Sequence, residues 1–437
     1  MKLYEKLRAF GFWTLDIIKG GNIRKHYNEI HASLNNSLPY ESDEKSGIKI
    51  KNLLTHAVKT CDFYSRYSLG NSLSDFPIVN KNLIKSNQDL FFSSAFKNQK
   101  VYSVTTSGST GTPFKTYQDK NKKARNYADT IYFAGLAGYK IGHRLIYLKI
   151  WVKSKMRHKL EYWFQNTIPV DVIHLNDRLI DILINKLEHD RSTFGILGYA
   201  SALELICRYL DKNQSGLVRT KVKSVIAISE TLNDYTKSTI GKYFSVPVVS
   251  RYSNLENGII AQQELNGSDR FLINTASYYI EILKLDTDEP ATTGELGRIV
   301  VTDLYNYALP MIRYDTGDIG ALEYDKLNNS KQYLSKVEGR KLDLLYDTKG
   351  ELVSSYIVYK NMWQYTEIDQ YQLIQEGEKL YTFKINSQNI FSKENQLIDE
   401  FKSFLGTDAD FRVEYVSEIP LLASGKRKKI VNNYIKT

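Results

Sequence analysis

From about residue 100 to 260, short apolar runs alternate with longer segments of helical period. That alternation leaves few folds open to the chain. Leu145-Ile146-Tyr147-Leu148-Lys149-Ile150, Val222-Lys223-Ser224-Val225-Ile226-Ala227-Ile228 and Val246-Pro247-Val248-Val249-Ser250 read as strands. Between them, Leu179 to Leu187 and Ala202 to Leu210 repeat apolar residues at 3.6-residue spacing. Strands alternating with helices predict an α/β sheet. From 270 to 345 the runs become alternating and hairpin-like, as in Tyr278-Tyr279-Ile280-Glu281-Ile282, which predicts an antiparallel or barrel-like lobe. The final stretch mixes strands (Tyr371 to Ile374, Leu380 to Ile385) with a helix (Lys393 to Leu405), a small α+β unit.

At 437 residues the chain has room for about two to four domains. Its 42% hydrophobic and 25% charged residues exclude disorder, collagen and a disulfide scaffold. Two cysteines, Cys61 and Cys207, are too few for a disulfide framework or a Cys-built metal site, and favour a reducing, cytoplasmic compartment. No window holds about 18 uninterrupted apolar residues, so no spanning helix and no stable membrane insertion are expected. The formal charge of +10 fits an anionic partner or simply a solvated surface in a Lys- and Tyr-rich chain. No nucleic-acid-binding motif accompanies it, so a nucleic-acid partner is not expected. Residues 1–37 read as helical, with Leu3, Leu7, Phe10, Leu15 and Ile18 at helical spacing and a stop near Gly20-Gly21. The ordinary expectation is that this stripe docks onto the body of the protein; a weak interfacial position on a membrane is the alternative.

The strongest local signal is Thr105-Thr106-Ser107-Gly108-Ser109-Thr110-Gly111-Thr112-Pro113, after the strand-like Val101 to Val104. Glycine allows close backbone approach, and hydroxyls with backbone N–H groups donate to phosphate oxygens. No Gly-Lys-[Ser/Thr] follows at Walker A spacing. Read alone, the segment is either a phosphate cradle or a polar surface turn.

Thr106 to Pro113 resembles the phosphate loop of the adenylate-forming enzymes: acyl-CoA synthetases, peptide-synthetase adenylation domains and luciferases. Further stretches are similar to that family's motifs, in its order. Arg251-Tyr252-Ser253-Asn254-Leu255-Glu256 resembles the adenine and magnesium motif. Gly294-Glu295-Leu296-Gly297, Val301-Thr302-Asp303-Leu304 and Arg313-Tyr314-Asp315-Thr316-Gly317-Asp318 resemble the run into the ribose motif. Gly339-Arg340 looks like the start of the interdomain hinge, and Ser424-Gly425-Lys426 like the catalytic-lysine loop. The run Thr302 to Tyr314, Gly198-Tyr199-Ala200-Ser201 and Ser229-Glu230 point to the phenylacetate–CoA ligase-like branch, with its relatives from capsular polysaccharide clusters.

The resemblance implies an α/β fold: a large N-terminal adenylate-forming domain (1–338) and a small mobile α+β C-terminal domain (339–437). It implies ATP, Mg and CoA as cofactor and co-substrates, a small carboxylic acid substrate, and acyl-AMP formation followed by transfer to a thiol. By the same resemblance Thr106, Ser107, Gly108, Ser109, Thr110 and Gly111 cradle phosphate, and Tyr252 stacks on adenine. Glu256 holds Mg²⁺, Asp318 accepts from the ribose hydroxyls, Arg340 donates to ribose or phosphate, and Lys426 bridges the carboxylate and α-phosphate. The chemistry is consistent, because joining two anions requires charge neutralisation and in-line positioning. Singly, each has an ordinary alternative: Tyr252 a core residue, Glu256 a surface charge, Asp318 a turn former, Lys426 one cation of the solvated run Lys426-Arg427-Lys428-Lys429.

The sequence departs from the family pattern at three places. Leu342 stands where the hinge usually carries Asp or Lys, with Asp343 next. Leu255 replaces a Thr before Glu256, and Leu421-Leu422-Ala423-Ser424 lacks the usual Pro-Arg. These weaken the case for transfer more than for adenylation. They keep open a CoA-independent enzyme that passes an acyl or aminoacyl group to a carrier or sugar amine, and a non-catalytic nucleotide-binding protein. The acid pocket is expected near residues 132–151, 195–201 and 228–256, with Arg144 and Lys149 nearby. His143, His158, His174 and His189 lack metal-ligand spacing.

Overall fold

A computed structural model describes residues 2–35, 44–68, 70, 72–106, 114–151, 162, 165–325, 331–340, 345–353, 356–365, 367–387, 391–420 and 427–434. The helices are α1 (Leu3–Ile18), α2 (Asn22–Leu34), α3 (Glu44–Thr60), α4 (Lys81–Ser86), α5 (Gln88–Phe91), α6 (Lys120–Leu136), α7 (Asp177–His189), α8 (Ala200–Lys212), α9 (Asp234–Phe244), α10 (Tyr356–Asn361) and α11 (Glu394–Leu405). The strands are β1 (Val79–Asn80), β2 (Tyr102–Thr106), β3 (Phe114–Gln118), β4 (Arg144–Lys149), β5 (Thr167–Asp171), β6 (Phe194–Tyr199), β7 (Val222–Ile228), β8 (Val248–Asn254), β9 (Gly258–Gln263) and β10 (Phe271–Ile273). They continue as β11 (Tyr278–Leu283), β12 (Gly297–Asp303), β13 (Tyr314–Tyr324), β14 (Gln332–Arg340), β15 (Leu345–Tyr346), β16 (Leu352–Val353), β17 (Gln370–Gln375), β18 (Leu380–Asn386), β19 (Asp410–Tyr415) and β20 (Ile430–Asn432).

The alternating stretch folds as expected into a parallel block, β5-β4-β6-β7-β8. Its registers run Ile146↔Ile196, Ile196↔Val225 and Val225↔Val248. These strands are apolar on both sides because helices cover both faces. Ile146, Leu148, Ile196, Val225 and Ala227 pack on one face against Leu203, Ile206 and Leu210 of α8 and Ile240 and Phe244 of α9. Ile226, Ile228 and Val249 face Ala134 of α6 and Ala137, just past its end, on the other. Asparagine side chains start the covering helices: Asn176 accepts from the Leu179 N–H, and Asn233 from the Thr236 N–H.

The hairpin-like stretch forms antiparallel strands, but not a separate lobe. β9-β10-β14-β13-β12-β11 continue the parallel block edge to edge in one twelve-stranded sheet, with β1 beside β13. The join is the antiparallel β8/β9 pair. After β14, the four-stranded sheet β19-β18-β17-β20 carries α11, whose Leu397, Phe401 and Leu405 share a core with Leu373, Phe383 and Ile385.

The N-terminal helical stretch is two helices. Gly20 and Gly21, at φ +102° and +65°, turn the chain between α1 and α2. The expectation that the apolar stripe of α1 docks inward is overturned. Leu3, Leu7, Phe10, Leu15 and Ile18 are all exposed, and the buried residues of α1 are Glu5 and Asp16.

Candidate active site

In a parallel sheet, ligands sit beyond the carboxyl ends of the strands. β4, β6, β7 and β8 end at Lys149, Tyr199, Ile228 and Asn254, so that edge gathers Lys149, Tyr199, Ser229 and Tyr252. Ser229 adopts a left-handed φ of +70°, and the Glu230 carboxylate after it accepts from the Ser201 N–H at 2.9 Å, at the start of α8. The Lys149 ammonium lies 4.2 Å from the Trp151 ring centroid and 4.6 Å from that of Tyr147. Arg144 begins β4 and so lies at the opposite edge, where it pairs with Asp190. Of the two cations expected near the acid pocket, Lys149 therefore lies at the carboxyl edge of the sheet and Arg144 does not.

The hairpin β2/β3 brings Thr106 opposite Phe114, at the root of the Gly-rich loop. Ser107, Gly108, Ser109, Thr110 and Gly111 lie outside the described residues. At the far end of the hairpin, Gln118 Nε2 donates to the Glu256 carbonyl at 3.3 Å. Asp119 then caps α6, its Oδ1 accepting from the Lys122 N–H at 2.8 Å. Hairpin, α6 and the end of β8 are thereby tied together.

Tyr252, Glu256 and Asp318 converge. The Tyr252 hydroxyl donates to Asp318 Oδ2 at 2.8 Å and to Thr316 Oγ1 at 3.3 Å. Burial and the adjacent Asp318 charge raise the Tyr252 pKa well above its ordinary value, so the hydroxyl keeps its proton. The Tyr314 hydroxyl points to Glu256 Oε1 at 3.5 Å, and burial with the Glu256 charge raises that phenol too. Asp318 follows a bulge in β13 that Gly317 permits at φ +79°. Its N–H donates to Thr316 Oγ1 at 3.2 Å, and the Gly317 N–H donates to Asp315 Oδ1 at 2.8 Å. Arg298 holds Asp315 from behind at 2.9 Å. The register of β13 against β14 sets Asp318 opposite Arg340, so backbone pairing alone brings these two positions together.

Glu256 is only 7% exposed, and among the described residues it has no Lys or Arg within ion-pair distance. A buried carboxylate with one long hydrogen bond suits a divalent cation held jointly with phosphate oxygens. Among the described residues no cluster of three His, Cys, Asp or Glu side chains could hold a metal by itself.

Arg251 adds a feature to which its motif assigned no role. It is buried on the α6 side of β8, where its Nε donates to Gln262 Oε1 at 2.8 Å. Its Nη2 has no hydrogen-bond partner among the described residues. Burial brings its pKa down to about 10, and nearby Tyr147 offsets part of that shift. Strand alternation from Val249 puts Arg251 on that face, the one signal in the sequence that could have found it.

Leu342, Asp343 and Ser424-Gly425-Lys426 lie outside the described residues. The chain is anchored just beyond them. Arg427 Nε donates to the Ile419 carbonyl at 2.8 Å, and its Nη2 lies 2.6 Å from Glu418 Oε1. Lys429 Nζ lies 4.0 Å from Glu204 of α8 and 4.8 Å from the Tyr371 ring centroid. Leu255 is 57% exposed, so it fills no core position.

Comparison with solved structures places this arrangement in a class. The chain has the fold of the adenylate-forming ligases. It matches 2-hydroxyisobutyryl-CoA ligase in the postadenylation state with R3-HIB-AMP at a TM-score of 0.72, with 13% identity and 91% of each chain covered. The same ligase in the thioesterification state, with 2-HIB-AMP and CoA, matches at 0.54 with the same 91% coverage and 14% identity. ATP-bound MatB from Rhodopseudomonas palustris matches at 0.55, with 15% identity over 75% of this chain and 66% of that one.

Within that class, the chain resembles one protein along most of its length. It is 25% identical over 403 residues to the Protein CapK of Staphylococcus aureus, covering 86% of each chain. Residues 345–433 match the family model of the CapK C-terminal domain.

Proposed function

We propose that this chain activates a small carboxylic acid with ATP as acyl-AMP and then transfers the acyl group to a thiol, CoA being the first choice. The observation that carries the reading is the convergence of Tyr252, Asp318, Thr316, Tyr314 and Glu256 beside the β2/β3 hairpin, at the carboxyl edge of the sheet. Asp318 accepts from the ribose hydroxyls, and Tyr252 offers its ring to adenine. Glu256 holds Mg²⁺, which supplies charge neutralisation on the phosphates. Thr106 to Gly111 donate to phosphate, and Arg340, opposite Asp318, donates to ribose or phosphate oxygens. Lys426 draws the substrate carboxylate onto the α-phosphate. A carboxylate oxygen then bonds to the α-phosphorus, and the bond to pyrophosphate breaks. We assign residues 1–338 to ATP and acid binding and 339–437 to a C-terminal domain that moves between the two half-reactions. The acid site lies between α6 and the ends of β4, β6 and β8, lined by Tyr147, Lys149, Trp151, Tyr199 and Arg251. The likeness to relatives from capsular polysaccharide clusters supports an acyl group destined for a surface polysaccharide.

The test is acid-dependent ATP–pyrophosphate exchange with a panel of aryl, fatty and amino acids. Exchange with one acid class is expected, followed by thioester formation on adding CoA. Nucleotide binding without exchange across the panel would overturn adenylation. Acyl-AMP that persists in the presence of CoA would move the acceptor to a carrier thiol or sugar amine.

A further inference from the structure

α1 is an amphipathic helix turned inside out. Its two acids point inward: Glu5 is 0% exposed and Asp16 only 6%, whereas Leu3 is 75% exposed, Leu7 60%, Phe10 71% and Ile18 74%. The acids dock the helix. Glu5 Oε1 accepts from the Thr193 N–H at 2.9 Å and Oε2 from the Lys2 N–H at 2.8 Å. Asp16 accepts from the Ile23 N–H at 3.2 Å and the Arg24 N–H at 2.9 Å, where α2 begins. Trp13 completes the contact, 5.9 Å from the Tyr27 ring, with the Arg24 guanidinium 5.4 Å from its own ring.

At roughly 100° per residue, the exposed positions form one continuous apolar face over about half the circumference. Around the helix it reads Ile17, Phe10, Leu3, Leu7, Ile18, Tyr4 and Leu15, with half-buried Thr14 and Gly11 between them, Lys6 at one border and Arg8 at the other. No acid lies on it. Exposed cations continue the rim: Arg191 and Lys221 near the start of the helix, and Lys19, Arg24 and Lys25 past its end. Lys2 donates to the Arg191 carbonyl, and its proximity lowers the Lys221 pKa, the mark of a positive cluster.

We propose that α1 is an interfacial anchor that lays this protein on a bilayer carrying anionic headgroups. With 16 residues it is about 24 Å long, too short to span and suited to lying in the interface. No helix among the described residues is long and apolar enough to cross a membrane. Charge decides between occupants. A second copy of the chain would set one cationic rim against another, whereas anionic headgroups neutralise it. The anchor also has a direction. Glu5 grips Thr193, immediately before β6, while the proposed reaction edge lies past Tyr199 at the far end of that strand, about 20 Å away. The edge that takes ATP in the proposed function therefore opens away from the bilayer. The anchor itself does not depend on that function.

The test is co-sedimentation of the purified full chain with phosphatidylcholine vesicles and with vesicles of about three parts phosphatidylcholine to one of phosphatidylglycerol. The wild type is expected to pellet with the anionic vesicles and to be released by salt. Leu7→Glu/Phe10→Glu is expected to lower the bound ratio about tenfold or more. Lys6→Glu/Lys25→Glu, at exposed positions, is expected to weaken anionic binding severalfold while melting like the wild type. Failure of the wild type to pellet with anionic vesicles overturns the proposal. So does a wild-type dimer in sedimentation velocity that Leu7→Glu/Phe10→Glu dissociates, since a second copy would then cover the face.

Discussion

Substituting Asp318 by Ala tests the nucleotide site most directly, and the structure sets its size. In the free protein one Asp318 oxygen already accepts from the Tyr252 hydroxyl at 2.8 Å. Of two ribose hydroxyls arriving at this carboxylate, one exchanges with the Tyr252 hydroxyl and the other adds a bond at a further lone pair. Hydrogen bonds to a charged acceptor contribute about 1.5–3 kcal/mol each. The net gain that Asp318 gives bound nucleotide is one such bond, so Asp318→Ala weakens ATP binding by roughly 10- to 150-fold. A count that ignored Tyr252 would give the square of that factor. Tyr252→Phe isolates the competitor: it keeps a ring for adenine and removes the Tyr252 donor before nucleotide arrives, so affinity stays the same or tightens. Isothermal titration of both variants with a non-hydrolysable ATP analogue decides the matter. Wild-type affinity in Asp318→Ala refutes the ribose role. An equal loss in Tyr252→Phe refutes the competition and makes the Tyr252–Asp318 bond a requirement for the pocket.

Lys426→Ala is expected to abolish acyl-AMP formation while nucleotide still binds; a wild-type exchange rate in that variant would shift the role to Lys428 or Lys429. Burial raises the Glu204 pKa, but Lys429, Arg208 and hydrogen bonds from Arg208 and Asn233 bring it net below the ordinary 4.5. The Glu204–Lys429 contact is thus fully present above about pH 4.5 and lost as pH falls through the lower folded value. Glu204→Gln should remove that acid response, read by small-angle scattering, and slow pyrophosphate exchange by up to about fivefold at neutral pH. Unchanged scattering from neutral to acid pH in the wild type would reject the contact as a domain tie. Arg251→Met should fold normally and change the ranking of acids in kcat/KM by about tenfold, since it removes a buried charged donor from the proposed acid site; an unaltered ranking would place Arg251 outside it. Asp343→Pro should keep exchange but lose transfer, because proline fixes φ at the hinge; wild-type transfer would show the pivot elsewhere.

What could be read from the chain divides along physical lines. Local period sufficed for β4, β7, β11, β17, β18, α7 and α8, because those signals depend on neighbours in sequence. It could not say that β9 to β14 extend the same sheet, since hairpin character is shared by an added edge and a separate lobe. Strand direction separated Lys149 from Arg144: both lie in one apolar run, but only one end of a parallel strand faces ligand. The Asp318–Arg340 apposition depends on irregular registers between β13 and β14, which no spacing count provides. For α1 the period was right and the facing wrong. Hydrophobicity predicts inward burial unless the polar side has dedicated partners, and here Glu5 and Asp16 cap backbone N–H groups at Thr193 and at the start of α2.

The position of the C-terminal segment follows from the same reasoning. Lys429, beside Glu204 of α8 and over Tyr371, ties the C-terminal segment to the parallel block, three residues beyond the proposed catalytic Lys426. A domain that moves between two half-reactions needs such a contact to be weak. Glu204 keeps Arg208 at 2.9 Å and Asn233 at 2.9 Å when Lys429 leaves, so no buried charge is stranded. Lys429, one quarter exposed already, regains water. Breaking the pair then costs on the order of 1 kcal/mol, small enough for the binding of an acceptor to overcome in the proposed two-step reaction.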